Sequence, residues 1–237
     1  MQRTLFPIEI THQFPSSGTT ADLRHVGVGS DSHQYALKTL SDSPLLPISE
    51  WVGHHLCQSL KIATPDFAIV KIFDGSLAFG SRWDLSAMQY PKNGGPFDIA
   101  QFFSDVKHEV SAIYAMDLFL PNDDRHGRNF LFRTGPSGKV PLAFDFSRAW
   151  VMLGLPFGSS LEPDCNTLVW WQYLKRTCGY VPANHIFQEI LNLPDTWLEQ
   201  VLANAPTTWT DGFDSSKSID FWTNQRSERC KYAESML

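Results

Sequence analysis

A cluster of ionisable and amide side chains between two apolar segments is the strongest chemical signal in the sequence. Within seven positions the chain carries Asp123, Asp124, Arg125, His126, Arg128 and Asn129. Asp145 follows after two short apolar runs that residues 134–138 (TGPSG) separate, a pattern that predicts a β-hairpin. Because a hairpin folds back on itself, Asn129 and Asp145 are expected to be neighbours. An amide oxygen and a carboxylate are hard ligands that suit Mg²⁺.

Phosphoryl transfer from ATP is a reaction that this set of side chains would serve. It requires a metal ion to neutralise the phosphates, a cation on those phosphates, and a carboxylate that orients the attacking hydroxyl. Asn129 and Asp145 supply candidate Mg²⁺ ligands, and Asp124 supplies the carboxylate. Lys38, on a predicted strand, is the candidate cation. Glu50, on the helix predicted next, is placed to pair with Lys38.

A turn upstream of Lys38 is a candidate contact for the nucleotide phosphates. Its backbone N–H groups and hydroxyls would face the phosphates. The ordinary alternative is that these residues only form the turn. The residues concerned are Ser16, Ser17, Gly18 and Thr19.

Other polar residues near the cluster are expected to support it. Asp117 lies on an apolar helix face, where an unpaired carboxylate is costly, so it should accept hydrogen bonds from the loop backbone or from His126. His126 is expected to hold the loop, and Asp123 to stabilise it without acting as the base. Arg125 could pair with a carboxylate or a phosphorylated residue, or be solvated. Arg148 could reach a phosphate or pair with an acid, and the pair with an acid is favoured.

The periodicity of apolar residues predicts an α+β fold with a two-lobe plan. Strands are expected over residues 5–14, 21–28, 34–40, 67–73 and 77–83, with one helix among them that Ser49 caps and Pro65 ends. A long helix near 106–121, a hairpin over 130–144 and helices from Leu168 follow. A Pro- and Gly-rich linker at 91–96 separates an antiparallel-sheet N-lobe (about 1–90) from a mostly helical C-lobe (about 91–237), within a single domain.

The pattern N-x-D-x-H-x-x-N over residues 122–129, followed by a hairpin and Asp145, resembles the HipA-like kinases. Its DRHxxN core is also similar to phosphatidylinositol 3- and 4-kinases. Residues 35–38 (YALK), 60–65 (LKIATP) and 79–83 (FGSRW) extend the resemblance over roughly residues 15–150.

The resemblance implies a protein-kinase-like fold and assigns roles to individual residues. Asp124 would be the catalytic base, Asn129 and Asp145 the Mg²⁺ ligands, and Lys38 the contact to the nucleotide phosphates. The residues implied near the adenine are Ser81, Arg82 and Trp83.

The sequence departs from the kinase pattern in three respects. The upstream turn has one glycine instead of a glycine-rich loop. Residues 145–147 read Asp-Phe-Ser instead of Asp-Phe-Gly, which puts the usual switch at that glycine in doubt. The chain is also shorter than full-length HipA toxins, so substrate recognition known for those toxins is not carried over.

Composition narrows the classes of partner. A net charge of −6 does not favour nucleic acid, and no apolar run is long enough for a membrane span. Without a signal peptide or a metal-binding cysteine pattern, a cytoplasmic location is expected.

The main hypothesis is an ATP- and Mg²⁺-dependent protein serine/threonine kinase. One alternative is a small-molecule or lipid kinase with the same site, although no basic run favours a lipid. Another is a pseudokinase that binds nucleotide as a binding module, and a third is an interaction protein that binds none.

Overall fold

The sheet of the N-terminal part closes on itself. The computed structural model describes residues 6–16, 25–83, 86–88, 96–136, 138–149, 160–179 and 181–237. Within these ranges the strands of the sheet are β1 (Ile8–Pro15), β2 (His25–Gly29), β3 (Gln34–Lys38), β4 (Phe67–Lys71) and β5 (Leu77–Arg82). They form a barrel in the order β1-β2-β3-β5-β4, in which β1 pairs with β4 in parallel and the other pairs are antiparallel.

The five predicted strands are confirmed within the described residues, outside which residue 5 and residues 21–24 of the predicted strands lie. Closure of the sheet was not predicted. A register irregularity between Ile10 and His12 lies in β1, and such a bulge bends a strand and increases its twist. A small apolar cluster fills the barrel and consists of Ile10, Tyr35, Leu37, Val70 and Ala78. Alternation along each strand turns these side chains inward.

Helix α1 (Leu46–Ser59) connects β3 to β4 and is buried along most of its length. Every residue from Leu46 to Cys57 is buried. The prediction that Ser49 caps this helix is wrong, because the helix begins three residues earlier with Pro47 in its first turn. Proline is tolerated there, since the first backbone N–H groups of a helix have no intrahelical partner. The helix also ends at Ser59, before Pro65.

The C-terminal part is mostly helical around one hairpin. Its elements are α2 (Pro96–Ser104), α3 (Lys107–Phe119), β6 (Phe130–Gly135), β7 (Gly138–Ala143), α4 (Asn166–Thr177), α5 (Asn184–Asn192), α6 (Trp197–Ala203), α7 (Thr207–Thr210) and α8 (Ser215–Met236). The predicted hairpin is confirmed, with Phe130 opposite Ala143. The long helix predicted near 106–121 corresponds to α3. The linker predicted at 91–96 lies outside the described residues except for Pro96, which begins α2.

One large apolar core joins the two parts. It runs from α1 through α3 and β6 to α8. Three indole N–H groups also form hydrogen bonds between the N-terminal elements and the helices α6 and α7. These bonds run from Trp51 to the Val201 carbonyl (2.9 Å), from Trp197 to the Ser59 hydroxyl (2.9 Å) and from Trp209 to the Leu77 carbonyl (3.0 Å). Helix α1 is therefore held from the C-terminal side as well as by the sheet.

Among the described residues, no helix combines the length and apolar character needed to cross a bilayer.

Candidate active site

Lys38 lies between two carboxylates at the end of β3. Its Nζ is 2.9 Å from Oδ1 of Asp145 and 3.3 Å from Oε1 of Glu50. All three side chains are largely buried, with 8%, 16% and 1% of their surface exposed for Lys38, Asp145 and Glu50. The predicted pairing of Lys38 with Glu50 is confirmed. The structure adds the contact between Lys38 and Asp145, which lie 107 residues apart.

Burial and charge act differently on the two carboxylates. Burial raises the pKa of the Glu50 carboxyl to about 7, although the ammonium of Lys38 acts in the opposite direction. Burial also raises the pKa of Asp145, but the ammonium of Lys38, together with Ser147 and Arg125, outweighs burial, so this pKa lies below its ordinary value. Asp145 is therefore anionic at neutral pH, as a metal ligand must be.

The residue after Asp145 is packed onto α1. The Ser49 hydroxyl donates to the Phe146 carbonyl at 2.5 Å, and the ring of Phe146 lies over Gly53. A Cβ atom at Gly53 would be 2.3 Å from Cγ of Phe146. Asp145 itself has a φ of +63°, a left-handed conformation that aspartate tolerates better than most residues. Helix α1 thus contacts the residue that directly follows Asp145.

The buried side chain of Arg125 forms hydrogen bonds with both the loop and the hairpin. Its Nε and Nη2 donate to the two oxygens of Asp117, at 2.7 and 3.1 Å. Its Nη1 donates to the Asn129 carbonyl at 2.6 Å and to the Phe144 carbonyl. One guanidinium nitrogen therefore bonds to the two chain segments that carry Asn129 and Asp145, which brings these residues together as the hairpin pattern predicted.

The prediction for the partner of Asp117 is wrong. Its carboxylate accepts from Arg125 and from the Asn122 side chain (2.8 Å), whereas the loop backbone and His126 were the predicted donors. Of the alternatives for Arg125, pairing with a carboxylate is the one that the structure shows. A guanidinium offers two donors in a planar fork, which matches a buried carboxylate better than a single imidazole N–H does. The ring of His126 instead accepts from the Arg128 backbone N–H at 3.1 Å and caps a short 3₁₀ turn, Gly127–Asn129. His126 thus holds the loop, as expected, and burial lowers its pKa.

Asp124 and Asp123 have different environments. The Asp124 carbonyl accepts from the Asn129 side-chain nitrogen at 2.8 Å, and its Oδ1 accepts from the Asn166 side chain at 2.5 Å. Asp123 forms a two-pronged ion pair with Arg148, at 3.0 and 2.9 Å. The pairing of Arg148 with an acid is confirmed, and Asp123 is engaged in a contact that does not involve Asp124.

Asn129 and Asp145 carry the kinds of ligand atom that could hold Mg²⁺ together with a nucleotide. The Asn129 side-chain nitrogen is already bonded to Asp124, which orients the amide so that its oxygen is left as a ligand. Asp145 is held in its anionic form. Among the described residues, no group of three or more His, Cys, Asp or Glu side chains could hold a metal alone. Mg²⁺ would therefore complete its shell with phosphate oxygens and water, as is usual for this ion.

The candidate nucleotide-binding residues are only partly within the described ranges. Ser16 follows β1 and is half-buried, whereas Ser17, Gly18 and Thr19 lie outside the described residues. Ser81 lies in β5 opposite Ala36.

Arg82 and Trp83 line an open cleft at the end of β5. Arg82 is 3.4 Å from Asp66, and Trp83 is 44% exposed. The cleft has a volume of about 620 Å³, and its lining residues are Ser32, His33, Gln34, Asp66, Arg82, Trp83, Ser86 and Arg133. Lys38 and Asp145 are not among these residues.

Sequence reasoning missed several residues that build the site. Asn166 and Thr167 lie in the first turn of α4, in a region for which only helices from Leu168 were predicted. Thr167 accepts from the Arg125 backbone N–H at 2.8 Å and donates to the Asn122 carbonyl at 2.5 Å. Gly53 did carry a signal, because glycine inside a helix costs about 1 kcal/mol relative to alanine and often marks a close approach.

The sheet, the helix that carries Glu50 and the hairpin between Asn129 and Asp145 define a protein-kinase-like fold. The crystal structure of the Helicobacter pylori proinflammatory kinase CtkA matches this chain with a TM-score of 0.53 at 13% identity, over 97% of this chain and 95% of that one. At this identity the likeness concerns the fold.

Two further solved structures match over most of the chain. HipA of Shewanella oneidensis MR-1, in a complex with HipB and operator DNA, has a TM-score of 0.46 at 13% identity over 95% of this chain and 65% of that one. Choline kinase LicA of Streptococcus pneumoniae has a TM-score of 0.35 at 12% identity over 96% of this chain and 95% of that one. No protein-family model matches the sequence, and no curated protein does.

Proposed function

We propose that the chain is an ATP- and Mg²⁺-dependent phosphotransferase whose acceptor is an alcohol, most specifically a serine or threonine hydroxyl of a protein. The observation that carries this proposal is the position of Lys38, which contacts both Glu50 and Asp145 in a largely buried site. A cation fixed in this way next to a candidate metal ligand is what binding of nucleotide phosphates requires.

Each group would have one task in the reaction. Lys38 would contact the phosphates of ATP, and Glu50 would hold Lys38 extended. Asp124 would orient the acceptor hydroxyl and accept its proton. Asn129 and Asp145 would hold Mg²⁺, which when bound supplies neutralisation of the phosphate charge.

The fold suggests where the nucleotide would bind. In a two-lobe arrangement, with the lobes meeting between residues 83 and 96, ATP would lie between the sheet and the helical part. Ser81, Arg82 and Trp83, at the end of β5, would then be near the adenine. Ser16 and the turn that follows it would face the phosphates.

The choice of a protein hydroxyl rests on the resemblance to HipA-like kinases over residues 122–145. Offering protein extracts, lipids and metabolites in parallel with labelled ATP identifies the acceptor.

Asp123 and Asp124 offer a matched pair of variants that tests the reaction. Asp124→Asn should lower phosphate transfer by about 10²–10⁴-fold, the usual contribution of a positioned base, and should still bind ATP in a thermal-shift assay. Asp123→Asn makes the same chemical change one residue away, in a pair with Arg148 that is half-exposed on the arginine side, and should stay within a few-fold of the unchanged chain. Full activity of Asp124→Asn would exclude Asp124 as the base.

The same assays separate the rival functions. Label that enters a lipid or a metabolite, and no protein, would identify a different class of kinase. ATP binding without turnover or autophosphorylation, with either Mg²⁺ or Mn²⁺, would identify a pseudokinase. A melting temperature that ATP and Mg²⁺ leave unchanged would argue against nucleotide binding altogether.

A further inference from the structure

The first turn of α4 makes a direct contact with the proposed base. Asn166, the first residue of this helix, donates its side-chain N–H to Oδ1 of Asp124 at 2.5 Å. The two residues are 42 positions apart in the chain. Asn166 therefore reaches the carboxylate from a different element than the loop that carries it.

The residue after Asn166, Thr167, is hydrogen-bonded to the same loop on both sides of Asp124. Thr167 is fully buried, and its hydroxyl bonds to the Arg125 N–H and to the Asn122 carbonyl. Its backbone N–H donates to the Asp123 carbonyl at 3.2 Å. With three hydrogen bonds next to it, the start of α4 cannot move relative to the loop without breaking several of them.

This contact has a specific consequence for a carboxylate that must act as a base. The terminal torsion of an aspartate side chain is broad and roughly two-fold, so an unrestrained carboxylate samples many orientations. A donor on Oδ1 restricts that rotation and leaves Oδ2 for the acceptor hydroxyl. Orientation of a reacting group within a fraction of an ångström has a large effect on rate.

We propose that Asn166 is a positioning residue that sets the orientation of the Asp124 carboxylate, so that Oδ2 receives the proton of the acceptor. This inference rests on the proposed function, because it assumes that Asp124 is the base. Asn166 acts through Asp124 and has no role of its own toward ATP. Its removal should therefore change the turnover number and leave the Michaelis constant for ATP unchanged.

The test removes the donor and asks whether the effect depends on Asp124. Asn166→Leu should lower kcat about 10- to 100-fold, the loss expected for one charge-assisted hydrogen bond, with the KM for ATP within about threefold. In an Asp124→Ala background the same change should have no further effect on the residual rate. Two groups that act as one unit show this non-additivity.

A control and a second variant keep the test informative. Asn224 donates to Asp220 at 2.8 Å on the exposed side of α8, so Asn224→Leu breaks the same kind of bond at a remote position and should leave kcat unchanged. If Asn166→Leu lowers the melting temperature, Asn166→Asp takes its place. It keeps the side-chain size, replaces the donor with an acceptor and should lower kcat at least as much.

The outcomes separate this inference from the proposed function. No phosphate transfer by the unchanged chain would overturn both. An active chain in which the Asn166 variants retain kcat would overturn the positioning role alone. An equal loss from Asn166→Leu with and without the Asp124 carboxylate would do the same, because it would show that Asn166 acts elsewhere.

Discussion

A methyl group added at Gly53 would test whether α1 holds Asp145 in place through Phe146. A Cβ atom at this position would lie 2.3 Å from Cγ, 2.6 Å from Cδ2 and 2.7 Å from Cβ of Phe146. Real Cβ contacts are essentially never below 3.0 Å, and the atoms concerned are at the root of the ring. The backbone near Phe146 or the helix must therefore shift. Asp145 is the preceding residue, and its carboxylate is 2.9 Å from Lys38.

The expected loss of activity is larger than the expected loss of stability. Replacing glycine by alanine inside a helix gains about 1 kcal/mol in helix propensity, whereas overpacking a core costs about 1–3 kcal/mol. Phe146 is fully buried. The centroid of its ring is 5.2 Å from the His54 ring centroid and 5.2 Å from Cζ of Arg125, so the ring has little room to move away from the added methyl group. The net destabilisation should be about 0–2 kcal/mol. A displacement of Asp145 by about 1 Å should lower the rate by about 100-fold.

The assay measures kcat with labelled ATP and the melting temperature on the same preparations. Gly53→Ala should lose about 100-fold in kcat with a small change in melting temperature. Gly135→Ala adds the same methyl group where the nearest atoms are 3.5 Å away and should behave like the unchanged chain. Phe146→Leu in the Gly53→Ala background should restore part of the rate by relieving the clash. Unchanged kcat with a raised melting temperature in Gly53→Ala would refute the reasoning.

Two further predictions concern stability. Arg125→Met should lower the free energy of unfolding by about 3–5 kcal/mol, because it leaves the Asp117 carboxylate buried without its charged partner; an effect near zero in urea denaturation would contradict this. Burial lowers the pKa of His54 from 6.5 to about 3, so the unfolded chain binds protons more tightly between these values, and stability should fall as the pH falls through this window. His54→Gln should flatten that slope in urea denaturation at several pH values, and parallel curves would contradict the prediction. Glu50, with its pKa raised to about 7, contributes the opposite slope between about 4.5 and 7, so the comparison is cleanest in a Glu50→Gln background.

Features that depend on neighbouring residues were predicted from the sequence. The hairpin between Asn129 and Asp145 follows from a turn between two apolar runs, and α3 follows from helical spacing. The pairing of Lys38 with Glu50 followed from their order on a strand and the next helix, and it is confirmed. The predicted start of α1 was wrong. Both Pro47 and Ser49 suit the first positions of a helix, and the local sequence pattern does not choose between them.

The sequence by itself determined which side chains are available for chemistry and the order in which they lie on strands, helices and a hairpin, since turn residues and apolar periodicity are local properties. Only the tertiary structure decided which partners they meet. Ser49 bonds to the Phe146 carbonyl 97 residues away, and Asn166 bonds to Asp124 across 42 residues. Contacts of this kind depend on how helices pack against the loop and hairpin, and one sequence contains no local signal for them. The cluster around Asp124 was visible in the sequence, whereas the contact between its carboxylate and the first residue of α4 was visible only in the fold.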